Sequence, residues 1–486
     1  MSQEPKKVSR RTFLNYSIAV IATGIIVGTA TYFAIPKEGV TVTAPGTTVT
    51  TTKTVTTTIT GTPTMTFPKP SSLTIGVVAG PESKGIKAVA PTFEKEYNIK
   101  INFAEYPYDS LYEKYVTTFE AGMSSFDLIM SDDVWMPKLG SEEWLTPLDE
   151  EFGVMMYENS DIPKTSYWLG SWPPPTGPIP PGEEKKSRHL YGLSIVGNMQ
   201  VFVYRKDLID KAPASWNDVL SNAQKVNDPN KGIYGFVVRG MKGEPATMHF
   251  LPIMKSFGGD FFADDWRIRL TDKEVIDALK FEIELKNLSP PGAENFDAAE
   301  RARAVAMGSA AQAITWPAEI TDFILNPEVS KVVDKVEIVP VPGGKNLPCS
   351  AHTGNWILGI PKFISNDRKY WAFEFMKWIL TPKVQREYAL SGGIPVLKSV
   401  QTDPELNKKY PYQSALEAAY EGNDARIEQN LPALCYPRTP ELMAIVTIVG
   451  TYINAALAGL ETAESAMQKA KEELINYLKP KGYPVY

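Results

Sequence analysis

The chain has 486 residues, 43% of them hydrophobic and 11% aromatic, with a net charge of −6 and two cysteines. Four basic residues and one acid in the first 36 positions leave the remainder at −9, which argues against nucleic acid as a partner. Only three histidines occur, His189, His249 and His352, far apart, and there is no Walker loop, Gly-x-Ser-x-Gly elbow or His-Glu-x-x-His. Zinc, P-loop and serine-hydrolase chemistry are therefore excluded as readings, and no cofactor or metal is expected.

At the amino end, Ser9-Arg10-Arg11-Thr12-Phe13-Leu14 sets two arginines before a hydrophobic pair. The uncharged run Tyr16 to Ile35 follows, about 30 Å long as a helix and so long enough to cross a bilayer core. The pattern resembles a twin-arginine export signal carried by Arg10 and Arg11. The competing reading is a signal-anchor with Lys6, Lys7, Arg10 and Arg11 acting by the positive-inside rule. The single small-x-small site, Gly28-Thr29-Ala30, lies inside the run, so residues 1–36 are expected to stay as a membrane anchor, with secretion after cleavage as the alternative. No cysteine follows closely to take a lipid.

Between Thr41 and Thr66, 15 of 26 residues are threonine, too little apolar surface to offset the entropy of ordering the segment. Residues 37–70 are predicted to be a disordered stalk, with the folded part beginning near Ser71. Extended, the threonine-rich part would reach roughly 80 Å from the membrane, and as a flexible coil about 28 Å. Such a stalk resembles those of archaeal surface proteins.

From Leu73 the elements alternate. Leu73–Val78 reads as a strand, followed by a helix to Tyr97 bent or restarted at Pro91. Ile99, Ile101 and Phe103 mark a second strand, and Asp109 or Ser110 is expected to cap a helix whose Leu111, Tyr115 and Phe119 share a face. Phe126–Met130 is a third strand. This order predicts a parallel α/β sheet, with ligands at the carboxyl ends of the strands. The loops there carry Glu82, Tyr108, Asp132, Asp133 and Trp135.

Trp172 to Gly182, with six prolines, is predicted to be a surface loop. Tyr191 to Tyr204 reads as one extended apolar stretch. Ser215 should cap the helix of Trp216, Val219 and Leu220, and Thr271-Asp272-Lys273-Glu274 should form a capping box. Ala310–Thr315 is a small-residue strand delivering Trp316 and Glu319, and Val336–Val341 a strand closed by the turn Pro342-Gly343-Gly344. A strand after Trp356 leads to a helix with a core stripe of Trp371, Phe375 and Trp378. Two helices, Glu441–Leu457 and Glu464–Leu478, end the chain. In an oxidising compartment Cys349 and Cys435 either pair, closing a loop of about 86 residues worth roughly 4–5 kcal/mol, or remain buried thiols.

Taken together, Phe126-Asp127-Leu128-Ile129, Tyr204-Arg205-Lys206-Asp207-Leu208, Phe257-Gly258-Gly259, Thr315-Trp316, Val339-Pro340-Val341-Pro342-Gly343-Gly344, Gly354-Asn355-Trp356 and Gly392-Gly393-Ile394-Pro395 resemble the extracytoplasmic solute-binding proteins of ATP-driven (ABC) importers. The resemblance is to the group that carries sugars, oligosaccharides and polyols, and it runs from about Leu73 to Leu478. Asn355, where glycine is usual, and the proline-rich insertion depart from the pattern. The resemblance implies an α/β, two-lobed periplasmic-binding-protein-like fold, each lobe a mainly parallel sheet flanked by helices. The first lobe would span 71–190 and 354–400, the second 195–345 and 430–480.

It also implies a monomeric, non-enzymatic protein that takes a carbohydrate in the cleft between the lobes and hands it to a membrane permease. By resemblance, Glu82, Asp132, Asp133 and Trp135 face the cleft from the first lobe, and Trp316 and Glu319 from the second. Asn198, Asn355, Trp356, Tyr436 and Arg438 would stand near the crossings, where a Cys349–Cys435 disulfide is expected. A pyranose suits such a set, since its apolar face stacks on indole and its hydroxyls seek carboxylate or amide partners. Two other functions compete: a surface glycosidase, which needs two carboxylates about 5–9.5 Å apart, and a surface receptor with a degenerate cleft.

Overall fold

The computed structural model describes residues 67–344 and 347–486. The export signal, the membrane segment and the threonine-rich stretch to Thr66 lie outside the described residues, among which no helix is long and apolar enough to cross a membrane. Residues 67–70, expected to end the stalk, belong to the folded unit instead. Phe67 stacks on Tyr370 with ring centroids 5.0 Å apart, the Trp371 indole donates to the Pro68 carbonyl at 3.1 Å, and Lys69 Nζ donates to the Tyr97 carbonyl at 2.8 Å.

Eight strands make up the two larger sheets. In chain order they are β1 (Ser72–Val78), β2 (Lys100–Tyr106), β3 (Leu128–Asp132), β4 (Gly192–Val196), β5 (Val201–Arg205), β6 (Gln312–Thr315), β7 (Val336–Val339) and β8 (Trp356–Gly359). The first sheet has the order β2-β1-β3-β8-β4, with β1 parallel to β2 and β3, and β8 antiparallel to β3 and β4. The second has the order β6-β5-β7, and both pairings are antiparallel. The mainly parallel second sheet that was expected is thus corrected. Its parallel neighbour, near Tyr234–Val238, meets the β6 edge through a bridge from Tyr234 to Ala310 and a Val237 N–H bond to the Gln312 carbonyl at 3.1 Å.

Tyr191 to Tyr204, one apolar stretch in the sequence, divides between the sheets: β4 closes the edge of the first and β5 is the centre of the second. All five residues of each strand are buried, as expected of strands covered on both faces. The chain passes from one sheet to the other through Gly197–Gln200 and returns through Ser350–Asn355. These crossings run side by side, with Gln200 N–H on the His352 carbonyl at 3.0 Å, Gly354 N–H on the Asn198 carbonyl at 2.9 Å and Thr353 N–H on the Leu434 carbonyl at 3.0 Å.

Several local expectations are revised. The helix Lys84–Tyr97 continues through Pro91, because one lost ladder bond is outweighed by its buried side, Ile86, Val89, Ala90 and Phe93. Pro107 rather than Asp109 or Ser110 occupies the N-cap of Tyr108–Glu120, which starts earlier than the sequence suggested. Ser215 does cap Trp216–Val226, in a capping box with Asp218. The box at Thr271 does not form: the N-cap is Asp272, one residue later, and its carboxylate is held by Arg267 at 2.8 Å and Arg269 at 2.9 Å. Pro342–Gly344 is an extended strand paired with Leu347–Cys349 rather than a turn. Of the stripe Trp371, Phe375 and Trp378, the last two are core, packed edge-on against Phe93, whereas Trp371 is only partly buried.

The expected disulfide is also absent. Cys349 and Cys435 are buried free thiols. Cys435 donates to the Tyr436 carbonyl at 3.1 Å, Cys349 accepts from Ala351 N–H at 3.4 Å, and burial pushes the two thiols up to about 12 and about 11 respectively.

Candidate functional site

The carboxyl end of β3 supplies Asp132. Its Oδ2 accepts from the Tyr108 hydroxyl at 2.8 Å, while Oδ1 is buried without a partner among the described residues. Burial, then the neighbouring Asp133, holds the pKa of this carboxyl well above the usual range, so that its charged form is disfavoured. Tyr108, Trp135 and Trp356 close around it as a cluster of rings: Tyr108 to Trp135 is 4.8 Å, Trp135 to Trp356 5.5 Å and Tyr108 to Trp356 5.9 Å between centroids. Trp135, expected to touch ligand, is wholly buried beneath Tyr108, Tyr112 and Tyr115 and acts as the floor of the cluster.

Asp133 points the other way. It braces the crossing, accepting at Oδ2 from Asn355 N–H at 3.0 Å while its own N–H donates to the Asn355 carbonyl at 2.9 Å. Burial raises its pKa to about 6 despite the pull of Arg438. Arg438 spends two nitrogens on the carbonyls of Asp133 and Leu169, at 2.8 and 2.7 Å, and Asn355 spends its amide on Ser194 and Tyr420, at 3.1 and 2.8 Å. Asp133, Asn355 and Arg438 thus brace the crossing, although Asn355 Oδ1 and Arg438 Nε are buried without a partner among the described residues. Asn198 beside them is buried, with its Oδ1 lacking a partner among the described residues.

From the second sheet, β6 delivers Trp316, whose ring lies over Gly354 so closely that a Cβ there would sit 2.7 Å from Cζ3. Glu319, expected to face a solute, is instead occupied: Arg301 Nη2 donates to both its oxygens at 2.7 and 2.5 Å and the Thr315 hydroxyl at 2.7 Å. Glu82, after β1, is pushed up to about 7 by burial, with Glu319 and Asp322 adding to the shift and its own backbone N–H opposing it. Residues from the two sheets thus act on one another here, and Lys84 reaches Asp322 at 2.6 Å.

Sequence reasoning missed Glu244 and Arg239. Glu244 opens the helix Glu244–Phe257, accepts from the Tyr436 hydroxyl at 2.8 Å and from Arg239 at 3.3 Å, and its charge bears on both Asp132 and Tyr108. Arg239 in turn donates to Asp297 at 2.8 Å, and although burial works against its charge, Glu244 and Asp297 raise its pKa overall. An acidic residue followed by proline, Gly243-Glu244-Pro245, is a helix-start signal that could have drawn attention to it. The arrangement offers a buried acid whose charge is disfavoured, a phenol, a carboxylate and indole faces in one place, which suits a neutral, hydroxyl-rich molecule. A roomier depression of about 370 Å³, lined by Tyr112, Lys138, Glu183, Glu441 and Tyr477 among others, contains none of these groups.

A model built on bacterial extracellular solute-binding proteins matches residues 79–386 of the chain. The chain belongs to that family. The solute-binding protein is similar to a probable amino-acid ABC transporter periplasmic-binding protein of Sinorhizobium fredii, 25% identical and covering 83% of this chain and 88% of the relative. Among solved structures it resembles a solute-binding protein of Agrobacterium radiobacter in complex with ribitol, with TM-score 0.70 and 26% identity over 84% of this chain and all of the other. It also resembles maltose-bound MalE3 of T. maritima, with TM-score 0.69 and 25% identity over 84% of this chain and all of that one. The fold is accordingly the α/β periplasmic-binding-protein-like fold. As a family of binding proteins rather than enzymes, it places this chain's work outside the cytoplasm.

Proposed function

We propose that the protein captures a polyol or a sugar between its two sheets and delivers it, as a monomer, to the permease of an ABC importer. The observation that carries this is the buried Asp132, one of whose oxygens lacks a partner among the described residues, beside Tyr108 and Trp356. A neutral hydroxylated solute supplies the missing partner without bringing a charge into the site. The ribitol and maltose held by the two similar structures support that chemistry, while the amino-acid description of the Sinorhizobium relative makes amino acids the control class. Trp316, Trp356, Tyr108 and Tyr436 line the site in this reading, with Glu82 and Glu244 as further acceptors. Asp133, Asn198, Asn355 and Arg438 hold the crossings that let the sheets close, and Trp135 and Glu319 act from behind the lining.

The test is calorimetry with ribitol, mannitol, maltose and a set of amino acids, on the protein and on Asp132→Ala. Losing one well-placed hydrogen bond to a buried acid costs about 1–3 kcal/mol, so affinity should fall about 5- to 150-fold. Binding of an amino acid but no polyol or sugar sinks the ligand class, and unchanged affinity in Asp132→Ala sinks the site. The anchor over residues 1–36, exported through Arg10 and Arg11, and the stalk over 37–66 complete the reading: the domain is displayed on the outer face of the membrane.

A further inference from the structure

The proline-rich segment Trp172–Gly182 is not accounted for by the site. Six of its eleven residues are proline, which fixes φ and leaves little freedom to lose on docking. It does not hang in solvent: Trp172, Pro173, Pro174 and Pro180 are buried. Its ends are tied together, the Trp172 indole donating to Glu183 at 2.7 Å, and its start is wedged against Gly140, where a Cβ would lie 2.6 Å from the Trp172 side chain. In the middle, Thr176 accepts from the Trp168 indole at 2.9 Å.

The far side is held from the other half of the molecule. The Ile179 carbonyl accepts from the Trp266 indole at 3.1 Å, and Trp266 lies between Phe262 and Tyr483, with centroids 5.2 and 4.8 Å away. Trp266 has φ of +66°, a backbone state that a bulky residue adopts only where its surroundings impose it. Beneath the segment lies a cavity of about 70 Å³, walled by Thr176, Gly177, Pro178 and Asp264 and shared with Tyr436 and Arg438 of the candidate site. Arg438 Nε is buried there without a partner among the described residues. That space holds a few waters, whereas small-molecule sites run to about 300–1,000 Å³.

We propose that Trp172–Gly182 is a strap closing the Tyr436–Arg438 end of the cleft, held down by Trp266, that restricts the protein to short solutes. This rests on the carbohydrate reading of the same site. A sugar chain running past Tyr436 meets prolyl rings in place of solvent and must lift the strap, breaking the Trp266 bond; a polyol or a disaccharide stays short of it.

The test is titration of the full chain with maltose, maltotriose and maltotetraose, beside two variants. Trp266→Phe removes the indole N–H and keeps a ring between Phe262 and Tyr483; the second variant replaces Pro174–Pro180 by two glycines. The unaltered protein should lose about tenfold or more in affinity from maltose to maltotetraose, and both variants should narrow that gap. Equal affinity for all three sugars in the unaltered protein, or an unchanged gap in the variants, overturns the strap. If the shortened chain does not fold, Trp266→Phe decides alone, with hydrogen exchange across 174–182 as a second readout: exchange no faster than in the unaltered protein overturns the role of Trp266. Absence of carbohydrate binding in every chain overturns the functional reading, and the strap falls with it.

Discussion

Glu82 illustrates how a single residue at the cleft carries a pH signature. Its folded pKa is about 7, against an ordinary carboxyl value of 4.5, because burial disfavours the charge and Glu319 and Asp322 face it. Below about pH 4.5 both folded and unfolded states are protonated. Between 4.5 and 7 the unfolded chain gives up the proton while the folded one keeps it, so stability falls as pH rises and then levels off. Asp133, raised to about 6, adds to the same slope from about pH 4 to 6. Glu82→Gln should raise the urea midpoint at pH 8 and leave it unchanged at pH 4; equal midpoints at both values would show that Glu82 is solvated as an ordinary surface acid.

At the scale of elements, the pair Arg301–Glu319 ties the helix Ala298–Ala306 to the turn that follows β6 and delivers Trp316. Arg301 is almost fully buried, so removing it leaves the Glu319 carboxylate with the Thr315 hydroxyl bond and without its paired guanidinium. Arg301→Met should cost about 3–5 kcal/mol in chemical denaturation, and adding Glu319→Gln should recover a large part, since neutralising both partners removes the unpaired charge. A double variant as unstable as the single one would mean that packing around Arg301, not the charge, was responsible. The same turn explains Gly354: the Trp316 ring occupies the space a side chain would need, so the returning crossing and the indole are fitted to one another.

For the whole molecule, the sheets are joined by the crossings, and contacts beyond them include Lys84–Asp322 and the Trp266 bond to the Ile179 carbonyl. Lys84 and Asp322 are partly exposed, and such a pair contributes about 0–1 kcal/mol, so it does not lock the halves together. In the proposed reading, a solute touching both halves would shift a closure equilibrium by its differential affinity for the closed form. In the proposed twin-arginine route, changing Arg10 and Arg11 to lysine should leave precursor in the cytoplasm, detected by fractionation, and normal surface delivery of that variant would refute it.

The order of elements, the α/β class and the family were legible in the sequence because each depends on local pattern. Period-2 and period-3.6 runs mark strands and helices, and short strings such as Gly354-Asn355-Trp356 survive as strings. Ser215, the Phe375–Trp378 stripe and the two final helices follow from neighbours a few residues away. What tertiary structure alone decided is which polar groups are already spoken for. Glu319 is paired by Arg301, 18 residues away, Asp133 is spent on Asn355, 222 residues away, and Glu244 meets Tyr436, 192 residues away. The split of Tyr191–Tyr204 between two sheets and the antiparallel β6-β5-β7 order depend likewise on distant pairings. A carboxylate reads the same in sequence whether it will meet a solute or an arginine, because its partner is set by the packing of elements and not by its neighbours in the chain.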